Sequence, residues 1–178
     1  MLILVGASAT GKTEIVKELV RKYGLIKMIT YTTRPIRINE VNGVDYHFIS
    51  KQDFLSKVEN GEFVETVCYN DNYYGTLKKD VDDRKVVILE PSGLNNFYKN
   101  FSTGLVSILI ETDKTIRHKR MITRGDKEEN IMKRLSNDDV IFNRSNMNQI
   151  DCVVQNNGNN LEEITDQIYK LYMDCLYK

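Results

Sequence analysis

The sequence predicts a three-layer α/β domain built around a central parallel sheet. Two apolar runs without polar alternation, residues 86–89 and 105–110, are typical of strands covered on both faces. Segments of helical length separate such runs along the chain, and this alternation is typical of a parallel sheet with right-handed crossovers. A chain of 178 residues is long enough for one such domain with inserted lobes.

The first element is a short apolar strand at residues 2–5, which a loop joins to an amphipathic helix that stops at Gly24. The loop has the G-x-x-x-x-G-K-[ST] spacing of a phosphate-binding P-loop. Inward-pointing backbone N–H groups and the positive end of the helix dipole would bind phosphate there. We expect Lys12 to bind the outer phosphates of a nucleoside triphosphate and Thr13 to ligate the Mg²⁺ ion that bridges them. The triphosphate-binding residues are then Gly6, Ala7, Ser8, Ala9, Thr10, Gly11, Lys12 and Thr13. The alternative is a chance glycine-rich turn before a helix.

The composition favours a soluble enzyme with small-molecule partners. Lys plus Arg equals Asp plus Glu at 25 each, so no global field attracts nucleic acid or a membrane. Three widely spaced cysteines, Cys68, Cys152 and Cys175, argue against a disulfide framework or a zinc site and favour a reducing cytoplasm. The apolar start is too short for a signal peptide or a membrane span.

The elements that follow alternate in type. The first helix should bury a stripe of Ile15, Val16, Leu19 and Val20. We expect a strand at 27–33, ended before Pro35, short strands at 46–49, 62–69 and 73–75 with a turn at 70–72, and a helix at 51–60 capped by Ser50 and Asp53. In the second half of the chain, the sequence pattern predicts helices at 94–101, 113–123, 127–146 and 161–176 and a strand at 152–154.

Four blocks in this order resemble the monophosphate-binding lobe of the guanylate kinase family. They are Thr32-Thr33-Arg34 with Arg37, then EVNGVDYHF at 40–48, GEFVE at 61–65 and NYYGT at 72–76. The resemblance covers nearly the whole chain and is far more specific than the P-loop alone. It implies a P-loop kinase fold in a single domain, 1–178, with a core at about 1–31, 77–122 and 147–178, an inserted β-rich lobe at about 32–76 and a helical lid at about 123–146.

The resemblance also implies a GMP site. Arginine guanidinium groups and tyrosine hydroxyls can surround a phosphate monoester, and the family likeness gives this role to Arg34, Arg37, Tyr46 and Tyr74. Glu65 would accept hydrogen bonds from the N1–H and N2–H₂ edge of guanine, with help from Thr30 and Thr76. Taken singly, such residues are more often core tyrosines and solvated arginines.

A third group would close over the reacting phosphates. Arg117, Arg120 and Arg124 lie at i, i+3 and i+7 of one helix, and Arg134 follows on the next. By resemblance Arg120, Arg124 and Arg134 act with Lys12 to clamp the charge on the transferred phosphoryl group, and Asn156 lies near the adenine of ATP. The alternative is a solvated basic helix balanced by Glu128 and Glu129.

The chain departs from the family pattern at Glu90-Pro91-Ser92-Gly93. Glu90 could order the Mg²⁺ shell, whereas Ser92 stands where an aspartate would accept from the guanine 2-amino group, and a neutral acceptor gives a weaker hydrogen bond. Ala9 and Thr10 contribute only backbone and should change nothing.

The leading hypothesis is a cytoplasmic kinase, a monomer or homodimer, that uses Mg²⁺ and transfers the γ-phosphoryl group of ATP to GMP or dGMP. A second hypothesis keeps the fold and changes the acceptor to another nucleoside monophosphate or a ribose bisphosphate. A third is a catalytically inactive module that binds phosphopeptides, against which the intact Lys12 and Thr13 argue.

Overall fold

The structure, a computed structural model, describes residues 1–69, 71–82, 84–101, 104–158 and 160–177. The strands are β1 (Leu2–Val5), β2 (Ile26–Lys27), β3 (Tyr31–Thr32), β4 (His47–Phe48), β5 (Phe63–Tyr69), β6 (Asn72–Leu77), β7 (Lys85–Leu89), β8 (Val106–Glu111) and β9 (Cys152–Gln155). The helices are α1 (Lys12–Tyr23), α2 (Lys51–Glu59), α3 (Pro91–Asn100), α4 (Lys114–Thr123), α5 (Glu128–Ile141) and α6 (Leu161–Leu176).

The central sheet has the strand order β2-β7-β1-β8-β9, and all its pairs are parallel. Its middle strand, β1, is buried on both faces. Leu2 and Leu4 pack in a core cluster with residues of α1 and α6, whereas Ile3 and Val5 pack with residues of α3. Because successive side chains of a strand point to opposite faces, this division confirms the predicted three layers.

A second sheet, in the order β4-β3-β6-β5, forms the β-rich lobe. The single strand expected at 27–33 is wrong: β2 pairs with β7 of the central sheet, whereas β3 pairs with β4 and β6 of the lobe. Lys27 is the last residue of the central-sheet pairing with Val86, and Tyr31 faces Gly75 in the lobe. One apolar run therefore crosses from one sheet to the other, which its residue types do not reveal.

Most helix boundaries follow the predicted caps. The Ser50 hydroxyl accepts from the Asp53 backbone N–H at 3.0 Å, which confirms this start of α2. Helix α3 begins at Pro91, three residues before the expected start, because proline suits the first turn of a helix. Helix α5 ends at Ile141, and a short 3₁₀ turn at Arg144–Asn146 follows it. Within the turn expected at 70–72, position 70 lies outside the described residues.

One residue departs from the predicted stripe of α1, and two cysteines lie close together without a disulfide bond. In α1, Val20 is 37% exposed although the other three residues of the stripe are buried. Cys152 on β9 and Cys175 on α6 are distant in sequence, yet their Sγ atoms lie 3.7 Å apart, too far for a disulfide bond. Among the described residues, no helix combines the length and the apolar character needed to cross a membrane.

Candidate active site

The P-loop lies between the end of β1 and the start of α1, as predicted, and its two glycines are required by their surroundings. A Cβ on Gly6 would lie 2.5 Å from the Ile110 carbonyl oxygen of β8. Gly11 has φ 95°, in the left-handed region, and a Cβ there would lie 2.7 Å from Asn156 Nδ2. Larger residues would therefore push the loop away from β8 and from Asn156.

Ala9 also adopts a left-handed conformation, with φ 62°. The expectation that this position contributes only backbone and changes nothing is incomplete, because a left-handed L-residue costs roughly 1–2 kcal/mol. Its carbonyl oxygen accepts from Arg120 Nη1 at 3.1 Å. The left-handed conformation of Ala9 is therefore maintained despite its local conformational cost.

Lys12 is folded onto its own loop. Its Nζ donates to the carbonyl oxygens of Gly6 at 2.5 Å and Ala7 at 2.7 Å, and lies 3.2 Å from the Thr10 hydroxyl oxygen. Burial lowers the pKa of Lys12 to about 8, while nearby Asp138 acts to raise it. The ammonium group is therefore held at the loop by neutral oxygen atoms.

The loop faces one cleft of about 340 Å³ between the central sheet, the lobe and α5. This cleft brings together most residues that the sequence singled out. The predicted residues along its walls are Gly6, Ser8, Ala9, Lys12, Thr13, Thr30, Arg34, Arg37, Tyr46, Glu65, Tyr74, Glu90, Arg124 and Arg134.

The basic end of the lobe is organised by Glu40, which the sequence interpretation did not single out as a site residue. Arg34 Nη2 donates to Glu40 Oε1 at 2.7 Å, and the Arg37 backbone N–H donates to Oε2 at 2.8 Å. The Arg34 guanidinium also lies over the Tyr46 ring, 5.4 Å from its centroid, and that ring packs edge-on against Tyr74. The spacing of Glu40, three residues after Arg37, is the sequence signal for this contact.

Glu65 is a buried carboxylate, 5% exposed, that lines the same cleft. The Thr76 hydroxyl donates to Glu65 Oε1 at 2.8 Å, and this hydrogen bond orients the carboxylate. Burial, together with the charge of Glu90, raises the pKa of Glu65 to about 7, although hydrogen bonds from Thr76 act to lower it. Burial likewise raises the pKa of Glu90 to about 7, with a contribution from Asp138. The cleft therefore holds two carboxyl groups that titrate near neutral pH.

The structure does not place Ser92 where the sequence interpretation expected it. Ser92 is exposed in the first turn of α3, because Pro91 begins the helix directly after Glu90. Glu90 and Gly93 line the cleft instead, and a Cβ on Gly93 would lie 3.3 Å from Glu65 Oε2. The exposed position of Ser92 therefore does not support guanine recognition by this residue. Gly93 has no side chain, and Glu65 occupies the space beside it.

The predicted lid arginines divide into two groups. Arg124 and Arg134 line the cleft, and both donate to the carboxylate of Asp126. Arg120 lies behind the P-loop, where Nη2 donates to the Asn156 carbonyl oxygen at 3.2 Å. The Asn156 side chain is buried and donates to the Thr10 carbonyl oxygen at 2.8 Å. In this conformation Arg120 and Asn156 therefore support the loop backbone.

Arg117 does not join the cleft either. It is 7% exposed and lies 3.5 Å from the carboxylate of Asp138, beside a second cavity of about 340 Å³. Asp138, which the sequence interpretation missed, accepts from the Ser8 backbone N–H at 2.8 Å. Its sequence signal is its place on α5, where Ile131 and Leu135 start a buried stripe that Asp138 continues.

Oxygen atoms in the cleft suit a magnesium ion carried by a polyphosphate. Thr13 is exposed at the start of α1, and Glu90 lines the same cleft. The described residues contain no group of three His, Cys, Asp or Glu side chains placed to hold a metal ion. This arrangement fits Mg²⁺, which is typically bound by substrate phosphates, waters and one or two protein oxygens.

Comparison with known proteins decides the family. A family model described as guanylate kinase matches residues 1–174. The chain belongs to the guanylate kinase family. It is 34% identical to the guanylate kinase of Mesomycoplasma hyopneumoniae strain J over 186 residues, covering 96% of this chain and 92% of that one. It is 30% identical to the guanylate kinase of Thermotoga maritima over 181 residues, covering 96% and 84%.

The fold of this family member also matches a solved structure. The crystal structure of guanylate kinase from Anaplasma phagocytophilum superposes with a TM-score of 0.70 at 22% identity, covering 100% of this chain and 86% of that one. The likeness confirms the predicted fold class, a P-loop kinase fold with a central parallel sheet.

Proposed function

We propose that this guanylate kinase family member transfers the γ-phosphoryl group of ATP to GMP and releases ADP and GDP. The observation that carries the proposal is that the P-loop, a basic cluster and a buried carboxylate line one shared cleft. A nucleoside triphosphate on the loop and a monophosphate in the lobe would then meet with their phosphates between them. In this proposal the lobe is residues 32–76 and the lid residues 123–146.

GMP would be bound at both of its ends. Arg34 and Arg37 would bind its phosphate together with the hydroxyls of Tyr46 and Tyr74, since guanidinium groups and hydroxyls match phosphate oxygens. Glu65, oriented by Thr76, would accept from N1–H and the 2-amino group of guanine. Thr30 lines the same cleft and would assist Glu65.

The transfer step needs positioning and charge neutralisation. A phosphate oxygen of GMP attacks the γ-phosphorus, and the bond from that phosphorus to the bridging oxygen of ADP breaks. Lys12, Arg124 and Arg134 line the cleft where negative charge would develop. The attacking oxygen is already anionic, so no general base is required.

The remaining residues would prepare the loop. Arg120 and Asn156 hold the carbonyl oxygens of Ala9 and Thr10, so we assign them to positioning of the ATP-binding backbone. Thr13 would ligate Mg²⁺ together with ATP, and Glu90 would order the water shell of the ion, which would neutralise charge on the β- and γ-phosphates. The balanced net charge supports small-molecule partners, without nucleic acid or membrane, and we propose a cytoplasmic monomer or homodimer.

A coupled assay of ADP release tests the proposal. The purified protein would receive ATP and Mg²⁺ with GMP, dGMP, IMP, AMP, CMP, UMP or ribose 1,5-bisphosphate. We expect fast turnover with GMP and dGMP and slower turnover with IMP, which lacks the 2-amino group. Preferred turnover of another acceptor would support the second hypothesis. Binding of GMP or a phosphopeptide without any turnover would support the inactive module.

A further inference from the structure

Asp138 connects the lid to the P-loop from a buried position. It lies one helical turn after Arg134 on α5, and its side chain is 0% exposed. Its Oδ2 accepts from the backbone N–H of Ser8 at 2.8 Å. Backbone N–H groups of a P-loop are the groups expected to bind phosphate, so a protein carboxylate occupies one of them here.

The charge of Asp138 is only partly compensated. Its ion-pair partner is Arg117 on α4, at 3.5 Å between Nη2 and Oδ2. Among the described residues, Asp138 Oδ1 and Arg117 Nε and Nη2 find no hydrogen-bond partner, and both side chains border the second cavity of about 340 Å³. A buried ion pair with unsatisfied atoms contributes little to stability. We therefore expect that an incoming anion can replace the Asp138 carboxylate at the Ser8 N–H.

We infer that Asp138 is a positioning residue that acts as an internal anion at the P-loop and is displaced when a polyphosphate binds. The inference rests on the proposed function, because it assumes that the loop binds ATP. Displacement would free the Ser8 N–H and would release the turn of α5 that carries Arg134. Binding at the loop would thereby be linked to movement of the lid.

The electrostatics set the sign of the effect. Asp138 raises the pKa of Lys12 and Arg117 lowers it, so both charges act at the Lys12 ammonium. A negative charge at this place repels a polyphosphate, whereas a positive charge attracts it. Removing the Asp138 charge should therefore strengthen ATP binding, and removing the Arg117 charge should weaken it.

The test compares Asp138→Asn, Arg117→Gln and Asp139→Asn. Asp139 is the matched control, because it is the next residue of α5, has the same charge and is half exposed in a pair with Lys114. Calorimetry would measure the Kd of ATP without GMP, and steady-state kinetics the KM of ATP and of GMP. Thermal melting would confirm that each variant folds.

We expect Asp138→Asn to lower the Kd of ATP about tenfold, the equivalent of one exchanged charged hydrogen bond. Arg117→Gln should raise the Kd, and Asp139→Asn should change it by less than about twofold. The KM of GMP should stay within about twofold in all three variants, which a general loss of structure would not produce.

Weaker or unchanged ATP binding in Asp138→Asn would overturn the inference. If that variant does not fold, Arg117→Gln decides, because tighter or unchanged ATP binding there contradicts the same electrostatic account. Failure of the proposed function is distinguishable: the wild-type protein would then bind ATP in calorimetry but would not phosphorylate GMP.

Discussion

The P-loop and the lobe hold their cations in different ways. Lys12 donates to carbonyl oxygens of Gly6 and Ala7, which are neutral groups within six residues of it. Arg34 instead donates to the carboxylate of Glu40. A phosphate that approaches Arg34 must therefore exchange with a negative charge, whereas one that approaches Lys12 replaces neutral acceptors.

The lid resembles the lobe in this respect. Arg124 and Arg134 share the carboxylate of Asp126, which stands in the position of a counter-ion between them. The difference teaches that the cation of the P-loop is held by neutral oxygen atoms, whereas the cations of the lobe and the lid are held by internal carboxylates that a substrate would replace.

Among the substitutions that test this comparison, Lys12→Ala in the P-loop should have the largest effect. We expect kcat to fall by at least roughly 100-fold, because a charged donor aimed at the transferred group is typically worth 10²–10³ in rate. The Kd of GMP should stay within about twofold of the wild-type value. Single-turnover kinetics would measure the rate of phosphoryl transfer, and calorimetry would measure the Kd of GMP. Lys119→Ala, at an exposed residue of α4, is the control. Strong residual turnover would contradict the P-loop mechanism.

Glu65→Gln should affect the lobe alone. The neutral amide loses charged hydrogen bonds worth about 1.5–3 kcal/mol, so the KM of GMP should rise roughly 10- to 100-fold. The KM of ATP should hardly change. Steady-state kinetics with each substrate varied would measure both, and Glu59→Gln, exposed on α2, is the control. An equal rise in both constants would rule out base recognition by Glu65.

Stability should fall as pH rises through the window set by Glu65 and Glu90. Their pKa values are raised to about 7 from an ordinary value of 4.5, so between these values the folded state binds more protons than the unfolded state. Each of the two groups should lower the unfolding free energy by about 2–3 kcal/mol from pH 5 to pH 8. Denaturant unfolding at both pH values measures it. Glu65→Gln should flatten the dependence, and an unchanged slope would be inconsistent with the raised pKa.

Ala9→Gly should give the smallest effect. Glycine removes the left-handed strain of Ala9 but loses more backbone entropy on folding, so we expect a gain in unfolding free energy of up to about 1 kcal/mol. Ala7→Gly is the matched control, since Ala7 has no positive φ and should lose about 0.5–1 kcal/mol. Urea unfolding compares the two. A larger loss at position 9 than at position 7 would show that the loop does not store this strain.

Prediction from sequence was most successful where the chemistry is local. The P-loop spacing, the cap at Ser50 and the doubly covered strands depend on neighbours a few residues apart, and the structure has all three. The division of residues 27–33 between two sheets was not predictable, because the pairing partners Val86 and Gly75 are more than 40 residues away in sequence. The roles of the site residues and the boundaries of lobe and lid stay predictions.

The sequence by itself determined the family, the fold class and the residue types that meet in the cleft, because these follow from ordered motifs and short-range periodicity. Only the tertiary structure decided that Arg117 is buried against Asp138, that Arg120 and Asn156 support the loop from behind, and that Ser92 is exposed. The physical reason is that the direction of a side chain depends on which elements pack beside it. Helix spacing places three arginines on one face of α4, but the packing of α5 against the P-loop decides which of them reaches the cleft.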